Sequence, residues 1–254
     1  MSEPRYRWAG DSAVSVEYGN EISPEIAMRV RAMTRAVEAA GHEWFQEAVP
    51  SYRSVLVMYD PGLACPDEVV KALRDLDGLS AVQCAPPPRR LSLPVCYGED
   101  LGPDLADVST HTGLSEADVA AIHSSCDYLV YMIGFTIGFP YLGGMPSSIA
   151  TPRLATPRTR VPAGSVGIAG DQTGVYPVDS PGGWRIIGRT PVRLAQPAAD
   201  PPCLLQTGDF VRFTPVTRGE YEAICADVER GSYAPQFTEA TCERGGAARD
   251  GGGS

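Results

Sequence analysis

Between Tyr131 and Pro191 the chain reads YMIGFTIGFPYLGGMPSSIATPRLATPRTRVPAGSVGIAGDQTGVYPVDSPGGWRIIGRTP, and no other segment restricts the available folds as much. Glycine supplies backbone freedom and close approach, proline fixes turns, and arginine carries a planar fork of donors suited to carboxylate or phosphate. From Tyr128 onward the helical period is lost. Short apolar runs (LVYMIGF, SVGIAG, RIIGRT, VRLAQ, DFVRFTPV) are separated by Gly/Pro turns, the spacing of an all-β barrel or sandwich. The mixture reads as a shaped surface on a β scaffold.

The first third alternates strand-like and helix-like segments. Tyr6 to Tyr18 contains the alternating AVSVEYG, after which Ser23-Pro24 opens a helix through Ile26, Val30, Met33 and Val37 that ends at Gly41. The compact apolar run SVLVMYD, stopped by Pro61-Gly62, predicts a buried strand. Cys65-Pro66-Asp67 starts a second helix carrying Val69, Val70, Leu73 and Leu76 and finishing at Gly78, and RLSLPVCY from Arg90 to Tyr97 restores a strand. This order predicts an α+β chain in which residues 1–88 form a small α/β sandwich with helices on one face. Ala85-Pro86-Pro87-Pro88 is the expected linker, since consecutive prolines favour an extended backbone.

A helical stretch then carries Leu105, Val108, Val119 and Ile122, with Ser115 and Asp118 resembling a capping box shortened by one methylene. It leads into the β-rich unit, so the second domain spans 89–230, closed by a helix from about Arg218 to Glu229. Residues 231–254, ending in CERGGAARDGGGS, are poor in apolar side chains and are expected to be a disordered tail.

A chain of 254 residues, 43% hydrophobic and 20% charged, has the composition of a soluble globular protein with a sizeable core. Its formal charge of −10, with no basic run, argues against nucleic-acid binding, which needs a cationic face. The N-terminus lacks a basic-then-apolar leader, and no apolar run reaches the roughly 18 residues of a membrane span, so a cytoplasmic protein without a membrane partner is expected. Seven cysteines scattered without CxxC spacing point to neither a disulfide framework nor a metal site.

Several residues carry both a functional and a structural reading. Arg153 and Arg158 each follow a proline, Arg160 precedes Val161-Pro162, and Arg189 follows Gly188. Arginine on a fixed backbone loses less freedom when it grips an oxyanion, although solvated loop charges would read the same. In Gly134–Gly144 the glycines either let backbone amides approach a ligand walled by Phe139 and Tyr141, or mark barrel corners filled by neighbouring rings. The segment lacks both the Lys-Ser/Thr of a phosphate loop and the spacing of a dinucleotide fingerprint. Gln172 and Tyr176 flank Gly174 in a polar turn able to hydrogen-bond a ligand amide, or simply to turn. His123, with Asp127 four residues on, is either a histidine whose pKa is raised by that partner or a helix-terminal residue satisfied by the dipole. No Ser-His-Asp or Cys-His arrangement is legible, and Gly164-Ser165-Val166-Gly167 lacks the spacing of a nucleophile elbow, so covalent catalysis has no support.

At these residues the chain resembles a known family. YMIGFxxGFPYLGGMP, TPR, VPAGSVGIAGDQTGVYP and SPGGWRIIGRTP are similar to the 5-oxoprolinase B-subunit family, also known as allophanate hydrolase subunit 1 or the sporulation-kinase inhibitor KipI. The likeness extends upstream through Pro50-Ser51-Tyr52-Arg53-Ser54 and covers nearly everything from about residue 6 to 225. It implies that the β-rich unit is a cyclophilin-like barrel. It also implies a C-subunit-like partner of cyclophilin fold, an A-subunit-like partner, and ATP-dependent opening of a cyclic amide, 5-oxoproline, to glutamate. ATP is expected to be held by the complex rather than by this chain alone.

On the resemblance, activating a lactam carbonyl by phosphorylation needs cationic stabilisation where charge develops, which gives Arg153, Arg158 and Arg189 a role; His123, Arg158 and Arg189 are the candidate catalytic residues. Phe139, Tyr141, Arg153, Arg160, Gln172, Tyr176 and Trp184 are the candidate substrate-binding residues. The chain departs from the family pattern at Thr136-Ile137, where relatives carry a proline before the glycine, and in RLAQPAAD after Val192, including Ala195-Gln196. A kinase-inhibitor role on the same scaffold, and a stand-alone cyclophilin-like catalyst or binding protein, are the alternatives.

Overall fold

Alternation of apolar residues in AVSVE places Val14 and Val16 on one face of a strand, and in the computed structural model, which describes residues 3–80 and 88–240, that face is fully buried. β1 (Arg5–Trp8), β2 (Ala13–Glu17), β3 (Phe45–Pro50) and β4 (Ser54–Tyr59) form an antiparallel sheet in the order β1-β2-β4-β3. The single strand expected over Tyr6–Tyr18 is therefore two, folded back at Ala9–Ala13, and β3 was not foreseen because FQEAVP has no clear period.

α1 (Pro24–Ala39) starts where Ser23 Oγ accepts from the Ile26 amide, and it buries Val30, Met33 and Val37 completely. α2 (Pro66–Ser80) runs past Gly78, where it was expected to end. Val69 and Leu73 of α2 meet the α1 face and the sheet in one apolar cluster. The predicted proline linker lies outside the described residues except for Pro88.

β5 (Arg89–Tyr97) begins the second sheet. α3 (Leu105–Thr112) and α4 (Glu116–Ser124) follow, then β6 (Asp127–Ile133), β7 (Pro140–Gly143), β8 (Arg158–Val161), β9 (Ser165–Ala169), β10 (Gln172–Val175), β11 (Ser180–Gly182), β12 (Arg185–Arg189) and β13 (Phe210–Pro215). Seven of these close a barrel in the order β5-β12-β9-β10-β7-β6-β13, with β13 returning to pair with β5 in parallel. Closure depends on Gly188: a methyl there would stand 2.7 Å from the Cys96 carbonyl and 2.8 Å from Val95, at the point where β12 meets β5. Leu91, Leu93, Val130, Ile168, Ile187 and Phe213 fill the interior, and Leu105, Val108 and Val119 cap it.

The α+β architecture, a small α/β sandwich followed by a barrel, is the one expected. Asp118 caps α4 differently from a true box, taking a hydrogen bond from the Ser115 hydroxyl, whereas α5 (Arg218–Arg230) has the full reciprocal box between Thr217 and Glu220. The expectation of a disordered tail from residue 231 is corrected: β14 (Gln236–Glu239) pairs with Arg89–Ser92 of β5. It does so because β12 uses only the far end of that β5 edge, at Cys96 and Tyr97, and leaves the rest unpaired. Residues 241–254 lie outside the described residues. No helix among the described residues is long and apolar enough to cross a membrane.

Candidate functional site

Strand alternation decides which side chains of the glycine-rich segment leave the barrel. Val166 and Ile168 of β9, Val175 of β10 and Leu142 of β7 point inward, so Gly167, Ala169, Gln172, Gly174, Tyr141 and Gly143 stand on the outer face. Aromatic rings occupy the space above the glycines. A methyl at Gly174 would stand 3.0 Å from the Trp184 ring and 3.1 Å from Phe139, and one at Gly143 would overlap the ring of Tyr131. Gly143 and Gly174 are thus seats for neighbouring rings on the outer face of the sheet.

Phe139, Tyr176 and Trp184, with Val161, Ala169 and Ile186, form a second apolar cluster outside the barrel, and Tyr141 packs against it half-buried. Phe139 is the hub, with ring centroids 5.1 Å from Tyr141, 5.4 Å from Tyr176 and 5.6 Å from Trp184 in tilted or edge-on contacts, the geometry that aromatic quadrupoles favour. The two-stranded ribbon β8–β11 borders it. Burial raises the Tyr176 phenol pKa, so that side chain acts as a neutral hydrogen-bonding group.

The four arginines separate according to their partners. Arg158 makes two parallel bonds to Asp104, 2.9 and 2.7 Å, and Asp104, only 3% exposed, also accepts from the Ile186 amide. Its guanidinium pKa is held up chiefly by that hydrogen-bonded carboxylate, and its charge is matched within the fold. The pairing gives Arg158 a structural role, tying β8 to Asp104 at the start of α3. Arg160 is exposed and bonded to Asp179, which also accepts from the Ala163 amide. Arg189 lies against the Gly164 turn and Tyr221 of α5, with Nε buried and unpartnered. Arg153 differs: it is exposed, its guanidinium carbon lies 5.8 Å from the Trp184 ring centroid, and no ion pair is formed by it among the described residues.

His123 is corrected more firmly. It is 0% exposed, with Tyr97 Oη 2.7 Å from Nδ1 and Thr173 Oγ1 2.8 Å from Nε2, and its ring stacks on Phe213. Burial holds its pKa down at about 3 against an ordinary 6.5. The anticipated partner Asp127 instead accepts from Arg212 and Arg90. His123 is a barrel-core residue.

Sequence reasoning about the site missed Tyr52. It sits in the β3–β4 turn, yet its ring meets Tyr131 at 5.4 Å and Tyr141 at 5.9 Å, and its hydroxyl accepts from Gln172 Nε2 at 2.7 Å. The PSYRS signal was visible, but its destination 120 residues away was not. Gly138, next to the Thr136-Ile137 departure, packs on Ala195 of the other: a methyl there would be 2.9 Å from Ala195 Cβ. Chemically, the arrangement offers a packed aromatic floor, only 2–6% exposed, beneath the exposed Arg153 guanidinium, the Gln172 carboxamide and the half-buried phenols of Tyr52 and Tyr141. Those are groups for binding and orienting a small polar molecule. Among the described residues no cluster of His, Cys, Asp or Glu could hold a metal ion.

Residues 4–205 match the family described as carboxyltransferase domain, subdomain C and D. The chain is 42% identical to the 5-oxoprolinase B subunit of Bacillus subtilis (strain 168) over 226 residues, which are 84% of this chain and 93% of that protein. It is 41% identical to the 5-oxoprolinase B subunit of Escherichia coli O157:H7 over 221 residues, 86% of this chain and 99% of that one. The crystal structure of TTHA0988 superposes with a TM-score of 0.72 at 36% identity, covering 81% of this chain and 39% of its own. This chain therefore spans about two fifths of that relative's length.

Proposed function

Since the chain belongs to the family of carboxyltransferase-domain subdomains C and D and, within it, to the 5-oxoprolinase B subunits, we propose that it is the B subunit of a cytoplasmic, ATP-dependent 5-oxoprolinase complex. The observation that carries this reading is the match to a B subunit along 93% of that protein's length. The geometry supports it. Phe139, Tyr176 and Trp184, only 2–6% exposed, back the surface that carries the half-buried Tyr141, and Arg153, unpaired by any carboxylate among the described residues, holds the substrate's carboxylate there. Gln172, oriented by its bond to the Tyr52 hydroxyl, and Tyr141 are the polar groups offered to the lactam N–H and carbonyl. Arg158, locked to Asp104, keeps the β8 ribbon in place beside that floor.

ATP, bound by the assembled complex with A-subunit-like and C-subunit-like partners, supplies activation of the lactam carbonyl for attack by water. This chain's own groups bind and orient. The isolated chain, without its partner subunits, is expected to be inactive.

The test is co-expression with the A- and C-subunit-like partners and assay of ATP-dependent glutamate release. Arg153→Ala is expected to raise KM by about 10- to 100-fold with a smaller effect on kcat, as loss of a charge-assisted contact does. No glutamate release from a correctly assembled complex would sink the proposal.

A further inference from the structure

A second set of arginines gathers where α1 meets the turn before β13. Arg89, at the start of β5, grips Asp209 through Nε at 3.1 Å and Nη2 at 2.6 Å, and Asp209, 3% exposed, also accepts from the Gln206 amide. Arg31 of α1 reaches the same turn. Its Nη1 lies 3.5 Å from the Gly208 carbonyl, and its Nε is buried without a partner among the described residues. Gly208, at φ +89°, leaves room for it, since a methyl there would overlap the guanidinium. Burial lowers the Arg31 pKa, and so does Arg35; Asp209 raises it, and Arg89 lowers it again. Of the charges that act on Arg31, two are guanidiniums and one is a carboxylate.

Arg89 is also a wall of a cleft of about 210 Å³, which Arg193, Gln196, Pro202 and Phe237 line with it. The Phe237 ring is there because β14 pairs with β5, and the Arg89 guanidinium carbon lies 4.5 Å over it. Arg193 is exposed and forms no ion pair among the described residues. Nearby acids do not supply what is missing. Asp200, on the same loop as Arg193, does not line the cleft, and Glu239, opposite Arg89 in the ladder, bonds to no arginine among the described residues. Residues 81–87, AVQCAPP, add no charge. In a chain of net charge −10, a local excess of guanidinium with one buried carboxylate is an electrostatic cost that a bound anion offsets.

We propose that this cleft is a binding site for a small phosphate-bearing molecule, with the phosphate held between Arg89 and Arg193 and the rest of the molecule against Phe237 and Pro202. A dianion answers the excess of cations better than a single carboxylate does. Its oxygens take the Arg89 Nη1 that Asp209 leaves free, the Arg193 fork and the Gln196 carboxamide together. The volume lies below the roughly 300 Å³ at which drug-sized ligands begin to fit, so the ligand is inorganic phosphate or a short ester. Because Arg31 joins α1 to the same charge cluster, occupancy of the cleft also ties the sandwich to the barrel.

The experiment titrates the full chain calorimetrically with inorganic phosphate and with phenyl phosphate at constant ionic strength, for the wild type, Arg193→Gln and Arg5→Gln. Arg193 is exposed and unpaired among the described residues, so its replacement leaves folding intact, which equal melting temperatures verify. Arg5, exposed on β1, controls for a general loss of charge. The wild type is expected to bind phosphate. Arg193→Gln should bind it about 10-fold or more weakly, as loss of a charge-assisted contact does, and Arg5→Gln within about twofold of wild type. Phenyl phosphate binding more tightly than inorganic phosphate supports the site and identifies an ester as its ligand; otherwise the free ion is the ligand. No binding of either probe to the wild type at about 10 mM overturns the proposal. Unchanged binding by Arg193→Gln, or equal weakening by Arg5→Gln, overturns it too. So does benzoate that binds as tightly as phenyl phosphate, since the cleft would then select a carboxylate.

Discussion

Arg158 and Arg153 follow prolines five residues apart, and nothing in that local context separates them. The difference is made by Asp104, 54 positions before Arg158 in the chain, which matches the Arg158 charge, while Arg153 forms no ion pair among the described residues. His123 shows the same dependence on distant residues, because Tyr97, Thr173 and Phe213 turn a helix-end histidine into a sealed, neutral one. Its depressed pKa has a consequence for stability. Above pH 6.5 neither folded nor unfolded chain protonates this residue. Between 6.5 and about 3 the unfolded chain takes up a proton that the folded chain refuses, so stability falls as pH falls, by roughly 1 kcal/mol per unit. His123→Gln is expected to lower stability at pH 7.5 yet to reduce the loss between pH 6.5 and 4.5; denaturant titrations at both ends measure it. Equal slopes for wild type and variant would refute the assignment.

Among the elements, α1, α2, α4 and α5 were legible because a helix writes its burial into a period of 3.6 residues and its ends into caps such as Ser23 and Thr217. β3 and β14 were not, since each depends on a partner strand distant in sequence for its order. The glycines of β9 and β10 are an intermediate case. Their density announced unusual geometry, while their use as ring seats required Trp184 and Phe139 to arrive from other strands. Gly174→Ala places a methyl 3.0–3.1 Å from those rings, and the overpacking is expected to destabilise by about 1–2 kcal/mol. A shift in tryptophan fluorescence should accompany it. Unaltered stability and emission would show that the floor is not packed as described.

At the scale of the molecule, the α/β sandwich and the barrel meet through Tyr52, which lies against Tyr131 and Tyr141 and accepts from Gln172. Tyr52→Phe keeps the ring contacts and removes the 2.7 Å hydrogen bond, so a loss of about 1 kcal/mol is expected, measurable by urea titration. The assembled enzyme should also show a changed KM, because Gln172 would lose its orienting partner; an unaltered KM would place Gln172 outside the substrate's reach. By itself the sequence determined the two-part α+β architecture, the helices and most turns, and the segment in which a site would lie, since propensity, period and turn chemistry act over a few neighbouring residues. Only the tertiary structure decided that His123 is core, that Arg158 pairs with Asp104, that Tyr52 packs on Tyr131 and Tyr141, and that Gly143 and Gly174 seat rings. Burial and ion pairing are properties of residues brought together from far apart in the chain, and their partners are written nowhere near them.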